Sequence, residues 1–368
     1  MEREMQDQVT RLWDEEKDGP RRGSMVSCTQ LQAYLSCPRR WSYAYLEGLR
    51  PRTEMPYLTV GRLIHLGFEA AMRLRAEGCE DVQDMVETGV AAIEAEGDAQ
   101  GGVEFEGDRV RGGDDPVSEA CEVFWEALPE FDPTRWDVMR VGGVPALELH
   151  FWTPCPHTEG LHGYVDAVLR ERATGQVWCV DYKFRSRLAS EDDERFSLQR
   201  AVYARACRDL GVPVTGTLTW QRLRRCEAVP RLLRDGTMSR AKVQCTWPRY
   251  REALTAAGLD PADYADMEEK LAGVEMSREI REVRSDEMLE RVWAQVVMPT
   301  ALEIGHDREV VSMGMPLGCV PALDPMRCRL CAYAEICQAE LRGYDADFVR
   351  AEGFTRAEWA DGRVEERQ

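Results

Sequence analysis

Asp181 and Lys183 stand one residue apart in "GQVWCVDYKFRS", directly behind the apolar run Val177, Trp178, Cys179, Val180. Such a run, bounded by turn residues, reads as a buried strand, in which residues i and i+2 share a face. The chain has four lysines, Lys17, Lys183, Lys242 and Lys270, and takes nearly all its positive charge from arginine. A lysine at this point suggests a task for one compact, movable ammonium rather than a planar guanidinium. Upstream, "LHGYVDAVLRE" sets Asp166 among Val165 and Val168, three residues after Gly163. Two carboxylates on neighbouring strands resist joint ionisation, and a hard divalent cation, Mg²⁺ or Mn²⁺, removes that penalty. A lysine beside such a site can position a metal-bound water and stabilise charge developing on a phosphate. Read alone, Asp181 and Lys183 would equally make a structural ion pair at a strand end.

Two flanking segments add to the pair. "SLQRAVYARA" puts Gln199 and Tyr203 four apart, on one helical face, and "VGRLIHLGFEAA" does the same for Gly61 and His65. The ordered set G-x-x-x-H, G-x-x-D, D-x-K, Q-x-x-x-Y resembles the RecB-like branch of the PD-(D/E)XK nucleases. The resemblance spans roughly residues 27–340. It implies a restriction-endonuclease-like α/β core, with a central mixed β-sheet flanked by helices. It also implies that His65, Asp166 and Asp181 are ligands of catalytic metal, with the Tyr182 backbone carbonyl a further one. Lys183 would be the catalytic lysine, and Gln199 and Tyr203 would support the site and its DNA contacts. Glu148, in "PALELHFW", sits where relatives often carry an acid, in a structural or supporting role.

"CRLCAYAEIC" spaces Cys328, Cys331 and Cys337 as C-x₂-C-x₅-C. Three thiolates do not complete a four-cysteine site, so a fourth comes from elsewhere. Cys37 is the first candidate, and Cys28 lies nearby. The spacing permits zinc or iron–sulfur. The chain is similar to iron–sulfur RecB-like nucleases, among them AddB-type subunits, CRISPR-associated exonucleases and phage-encoded exonucleases. That likeness implies a 4Fe–4S cluster clasping the helical N- and C-terminal parts across the core.

These residues need elements to position them. Helices are expected over 27–47, 59–77 and 191–209, and strands over 145–152, 162–170, 176–183 and 214–221. From 246 onward the pattern is mainly helical. The expected organisation is a charged flexible arm over 1–26, the N-terminal part of the clasp over 27–58 and a nuclease core over 59–319. A C-terminal cysteine cluster over 320–342 and a charged tail over 343–368 follow. Within the core, about 95–116 reads as an acidic, Gly-rich loop and 222–251 as a basic segment. The net charge of −19 argues against nucleic acid as a partner until its distribution is considered. Residues 77–126 hold sixteen acids and two arginines, whereas 222–251 hold nine basic residues and two acids. A phosphate-binding groove needs local charge, not a positive total.

The chain has no 18-residue apolar run, so no membrane partner is expected. Its charged opening lacks a signal-peptide core, so a cytoplasmic protein is expected, in a bacterial host if phage-encoded. No G-x-x-x-x-G-K-[ST] motif is present for a helicase motor. The functional expectation is a Mg²⁺- or Mn²⁺-dependent DNA exonuclease acting on free DNA ends in recombination, repair or phage DNA metabolism. Partners among recombination or replication proteins would fit. The alternatives are a non-enzymatic, metal-stapled DNA-binding module and a nuclease of CRISPR adaptation.

Overall fold

A computed structural model describes residues 9–13, 25–52, 56–99, 115–315 and 318–357. At its centre lies an eight-stranded mixed sheet. The strands are Arg11–Leu12 (β1), Val26–Ser27 (β2), Trp136–Val138 (β3), Leu147–Thr153 (β4), Leu161–Glu171 (β5), Val177–Arg185 (β6), Gly216–Leu223 (β7) and Ser277–Val283 (β8). Their spatial order is β1-β4-β5-β6-β7-β8, with β2 and β3 also pairing to β5. β6 and β7 are parallel, whereas β4–β5, β5–β6 and β7–β8 are antiparallel. A parallel pair needs a crossover. Here the short helix Glu191–Arg195 and the longer Leu198–Asp209 supply it.

The main helices are Cys28–Ser36 (α1), Pro56–Ala76 (α2), Val82–Ala99 (α3), Pro116–Phe131 (α4), Leu198–Asp209 (α5), Met298–Ser312 (α6) and Ala334–Arg342 (α7). α2, α3 and α4 cover one face of the sheet. There Phe68, Phe124 and Phe131 pack with Tyr182 and Trp220 from β6 and β7. The helices approach closely because α3 carries glycine at the crossing. A Cβ on Gly89 would lie 2.2 Å from the Phe124 ring and 2.8 Å from the Gly67 carbonyl oxygen. α1, α5 and α6 cover the other face, where Leu31, Ala204, Cys207 and Ile304 meet Phe151, Val165 and Cys179.

The expected helix over 59–77 and the four expected strands are present, their ends shifted by one to three residues. Other expectations need correction. The single helix expected over 191–209 is two, because Ser190 and Asp193 form a capping box for the first and the chain turns at Phe196 before the second. The helix over 27–47 breaks at Cys37, where Pro38 restarts it. The acidic stretch expected as a loop over 95–116 is helical to Ala99, its middle lies outside the described residues, and α4 starts at Pro116. β8 interrupts the part read as helical. Of the stretch expected as a charged flexible arm over 1–26, residues 9–13 and 25–26 meet the sheet, through β1 and through buried Met25 and Val26, and the rest lies outside the described residues. The described part of the expected tail, 343–357, likewise holds a helix, Ala346–Gly353, and a strand, Phe354–Arg356, which pairs with Leu49–Pro51, and 358–368 lie outside the described residues.

Gly163 shows how tightly the sheet is fitted where the candidate acids lie. It faces Phe151 across the β4–β5 ladder. A Cβ there would sit 2.9 Å from two Phe151 ring carbons and from one Tyr203 ring carbon. Both rings are buried, so neither can give way cheaply. Gly163→Ala should therefore destabilise the fold by about 1–3 kcal/mol. Chemical denaturation of the parent and variant measures this, and equal midpoints would show that the rings have room to move.

Candidate functional site

In a regular strand, alternate residues face the same way. β4 and β5 break that rule together. Leu147 and Ala167 belong to the apolar cluster under α2–α4, whereas Leu149 and Val165 belong to the opposite cluster. The pairing passes from Leu147↔Ala167 to Leu149↔Val165, and the residues between them are Glu148 and Asp166. Glu148 has φ of 43°, a left-handed conformation that a glutamate adopts only where its surroundings hold it. The β5–β6 ladder also ends here, at Ala167↔Val180. Beyond it the Tyr182 amide donates to Asp166 Oδ2 at 2.8 Å instead of to a backbone carbonyl. The sheet therefore forks, and two carboxylates turn into the fork.

α2 brings His65 to the same place. His65 Nδ1 lies 3.5 Å from Asp166 Oδ2, and the ring meets Tyr182 and Phe184 edge-on. His65, Glu148 and Asp166 each offer one ligand atom, all within 4.8 Å of one another. Burial pushes the Glu148 carboxyl well above its ordinary range, and the charges of Asp166, Glu69 and Asp181 add to the effect. Burial also raises Asp166, partly offset by His65. Acids crowded in this way favour a cation among them, and one nitrogen with carboxylate oxygens suits Mn²⁺ or Mg²⁺.

Asp181 and Lys183 share a face of β6, as their spacing requires. Lys183 Nζ lies 3.0 Å from Asp181 Oδ1. The other oxygen, Oδ2, lies 2.8 Å from the guanidinium of Arg200 on α5. Asp181 therefore stands outside the close set formed by His65, Glu148 and Asp166, with a cation against each oxygen. Burial pushes its carboxyl up, but Arg200 and Lys183 outweigh this and hold it below the usual carboxylate range. Arg200 is itself fixed by Glu194, which lies 2.6 Å away, accepts from Thr219 Oγ1 at 3.1 Å and pairs with Arg185 at 2.8 Å. Sequence reading missed Arg200 and Glu194. Arg200 stands inside Q-x-x-x-Y and is buried with its neighbours Ala201 and Val202, and a charged residue directly before that small apolar pair is the sequence signal for it.

Gln199 and Tyr203 lie on one face of α5, where Gln199 Nε2 donates to the Tyr203 hydroxyl at 3.0 Å. The Tyr203 ring packs edge-on to Phe151, beside Gly163. Tyr182 is buried on the opposite face with its ring on Phe68, so its side chain does not enter the fork.

At the other end of the fold, Cys37, Cys328, Cys331 and Cys337 line one cavity of about 220 Å³, with Arg39, Arg40 and Tyr333. Cys37 ends α1 and accepts a hydrogen bond from the Ala322 amide at 3.4 Å. Cys337 lies on α7. No three of these thiols fall within 4.8 Å of one another. Cys28 is elsewhere, buried in the core, where burial and nearby Cys155 raise its thiol. Arg327 donates to the Ser36 carbonyl, Tyr333 to the Leu49 carbonyl and Tyr43 to Glu340, so the N- and C-terminal parts meet around the cavity.

Among the described residues, no helix is long and apolar enough to cross a membrane. A search of curated proteins found no match. The family model described as the PD-(D/E)XK nuclease superfamily matches residues 25–338, which include the fork, the Asp181–Lys183 strand and the four cysteines of the cavity. With that match extending over most of its length, the chain belongs to the PD-(D/E)XK nuclease superfamily, whose members are typically metal-dependent nucleases.

Proposed function

We propose that this chain is a Mg²⁺- or Mn²⁺-dependent deoxyribonuclease of the RecB-like type, an exonuclease acting on DNA ends in recombination, repair or phage DNA metabolism. The observation that carries the reading is the fork itself. His65, Glu148 and Asp166 converge there, and Lys183 is presented from the next strand by its ion pair with Asp181. His65, Glu148 and Asp166 are the residues that would hold the cation, with Asp181 and the Tyr182 carbonyl as further oxygen donors on β6. A divalent ion held there would supply Lewis acidity to the phosphodiester and would lower the pKa of an attacking water. Lys183 orients that water and stabilises charge on the phosphate oxygens. Asp181 fixes the ammonium, Arg200 fixes Asp181, and the Gln199–Tyr203 pair supports the strands from α5. A Cβ at Gly61 would meet nothing within 4 Å, and this open position lies one helical turn before His65, where a substrate strand can approach.

The four cysteines support a 4Fe–4S cluster with a structural role. They line one cavity, and the Ala322 amide already donates to Cys37 Sγ. Four thiolates suit zinc or iron–sulfur alike, and the choice of the cluster rests on the likeness to iron–sulfur RecB-like nucleases.

Three outcomes test the reading. End-labelled single- and double-stranded DNA should be degraded with Mg²⁺ or Mn²⁺ and left intact with EDTA. Asp181→Ala and Lys183→Ala should abolish cleavage, and Lys183→Arg should lose about 10²-fold or more. Near-parental turnover in Lys183→Arg would remove the lysine's role, and DNA binding without cleavage would favour the non-enzymatic alternative.

The second outcome follows from the raised Glu148 carboxyl. In the folded chain it stays protonated to higher pH than in the unfolded chain. Stability is therefore lost as pH rises from the ordinary carboxylate range, about 4.3, through the raised value. Metal-free Glu148→Gln should melt higher than the parent at about pH 8, with the gap shrinking towards about pH 5. Mn²⁺ should raise the midpoint of the parent more than that of the variant, as scanning fluorimetry would show. A variant that melts lower at the higher pH contradicts the assignment.

The third concerns the cavity. Anaerobically purified protein should be brown, and Cys37→Ala, Cys328→Ala, Cys331→Ala and Cys337→Ala should each lose iron and melt lower. Cys28→Ala should keep its iron. Bound zinc without iron would overturn the cluster and leave the nuclease reading standing.

A further inference from the structure

Between β7 and β8 the chain makes an excursion over residues 224–276. Its starting point is fixed by the sheet. Gln221 stands opposite Lys183 and Leu223 opposite Arg185, and the Arg224 amide donates to the Arg185 carbonyl at 2.8 Å. Because β6 and β7 are parallel, the excursion leaves from the same end of the sheet as the catalytic lysine. Arg224 is three residues beyond the register of Lys183, about 10 Å along the strand.

The excursion has its own core of Met238, Cys245, Tyr250, Leu254, Tyr264, Met267 and Leu271. On that core sits a hairpin, with the bridge Leu232↔Met238 and a turn at Asp235–Gly236. Its second arm is anchored. Met238 is buried, its amide donates to the Tyr264 hydroxyl at 2.9 Å, and the Tyr250 hydroxyl donates to the Ser239 carbonyl at 2.8 Å. Its first arm is presented outward. Leu232 is 51% exposed and Leu233 40%, and Arg231 and Arg234 flank them.

Charge distinguishes this segment from the rest of the chain. The arginines around the sheet are mostly compensated: Arg222 is buried between Glu126 and Glu130, and Arg224 pairs with Glu119. Among the described residues, Arg225, Arg231, Arg234, Lys242 and Arg251 make no side-chain ion pair or hydrogen bond, and all five are exposed. In a chain of net charge −19, five exposed cations without an ion pair in one small module suit a partner that is anionic at regular intervals. The two leucines between Arg231 and Arg234 suit one that also offers apolar surface. A DNA strand with unpaired bases provides both, since phosphates repeat along it and its base faces are not covered by stacking.

We propose that the 224–276 excursion is a single-strand guide. Arg225, Arg231, Arg234 and Lys242 hold the phosphates of a DNA strand, and Leu232 and Leu233 engage its unpaired bases next to the catalytic fork. This rests on the nuclease reading above and adds to it the strand class that the site receives.

The test uses the full chain in EDTA, with fluorescein-labelled oligothymidine and a blunt duplex, measured by anisotropy across a salt series. Arg231→Ala/Arg234→Ala should bind both probes more weakly, with the single-strand log–log salt slope shallower by about 1.4, at about 0.7 per phosphate contact. Leu232→Ser/Leu233→Ser should weaken single-strand binding by about tenfold while leaving the duplex unchanged. Thermal midpoints equal to the parent's confirm that both variants fold. If both bind oligothymidine as the parent does, the guide is overturned, and Mn²⁺-dependent cleavage by the parent keeps the nuclease reading intact. If the leucine variant loses duplex and single-strand binding equally, the single-strand assignment is overturned. A parent that neither binds nor cleaves DNA overturns both readings.

Discussion

A carboxylate buried within a sheet has lost most of its water and must find its compensation in the protein. Asp181 finds it in two cations, Arg200 from the covering helix and Lys183 from its own strand. Much of the surrounding structure answers to that requirement. Arg200 is also buried, so it needs a second anion, and Glu194 supplies it. Glu194 in turn is shared with Thr219 of the next strand and with Arg185. The crossover that makes β6 and β7 parallel therefore carries a chain of alternating charges that leaves β6 at Arg185 and returns to it at Asp181 and Lys183. Removing one member of such a chain leaves another buried charge alone, which typically costs 3–5 kcal/mol.

The same economy of burial explains the fork. If β4 and β5 continued as regular strands, Glu148 and Asp166 would each follow the alternation into one of the two apolar layers. By changing parity at a single point, both strands keep leucine, valine and alanine in contact with the helices and turn the acids aside. The left-handed backbone at Glu148 is the local strain this requires. Its neighbours hold it: Leu147 and Leu149 are both buried, one on each face.

Much of this was readable in the sequence because it rests on short-range pattern. The apolar run into Asp181, the i and i+2 relation of Asp181 and Lys183, and the i and i+4 relation of Gln199 and Tyr203 follow from backbone periodicity alone. The convergence of His65 with Asp166 is a tertiary fact that came through the family resemblance. Three features escaped. β8 was hidden because only Ile280 of its seven residues is buried, so its strand pattern was obscured by charge. Arg281 and Glu279 within it belong to an ion-pair cluster with Glu171 and Arg135. The parity change was invisible because "ALELHFW" and "YVDAVL" read as ordinary alternation until the faces are known. Arg200 was passed over because it stands at an unspecified position of a motif defined by its neighbours.

The ribbon formed by Leu49–Pro51 and Phe354–Arg356 also bears on the order in which the molecule can be made. Thr355 Oγ1 reaches the Arg50 carbonyl across 305 positions of sequence. On a ribosome adding about 5–20 residues per second, the first arm of that ribbon waits roughly 15–60 s for its partner. During that interval the sheet and its fork can assemble, since every strand around the fork is synthesised before the second arm. The apolar residues Tyr43, Ala44 and Leu49 remain uncovered until Tyr333, Ile336 and Phe354 arrive. The nascent chain therefore passes through a stage in which its forked sheet can be built while its ends are still open.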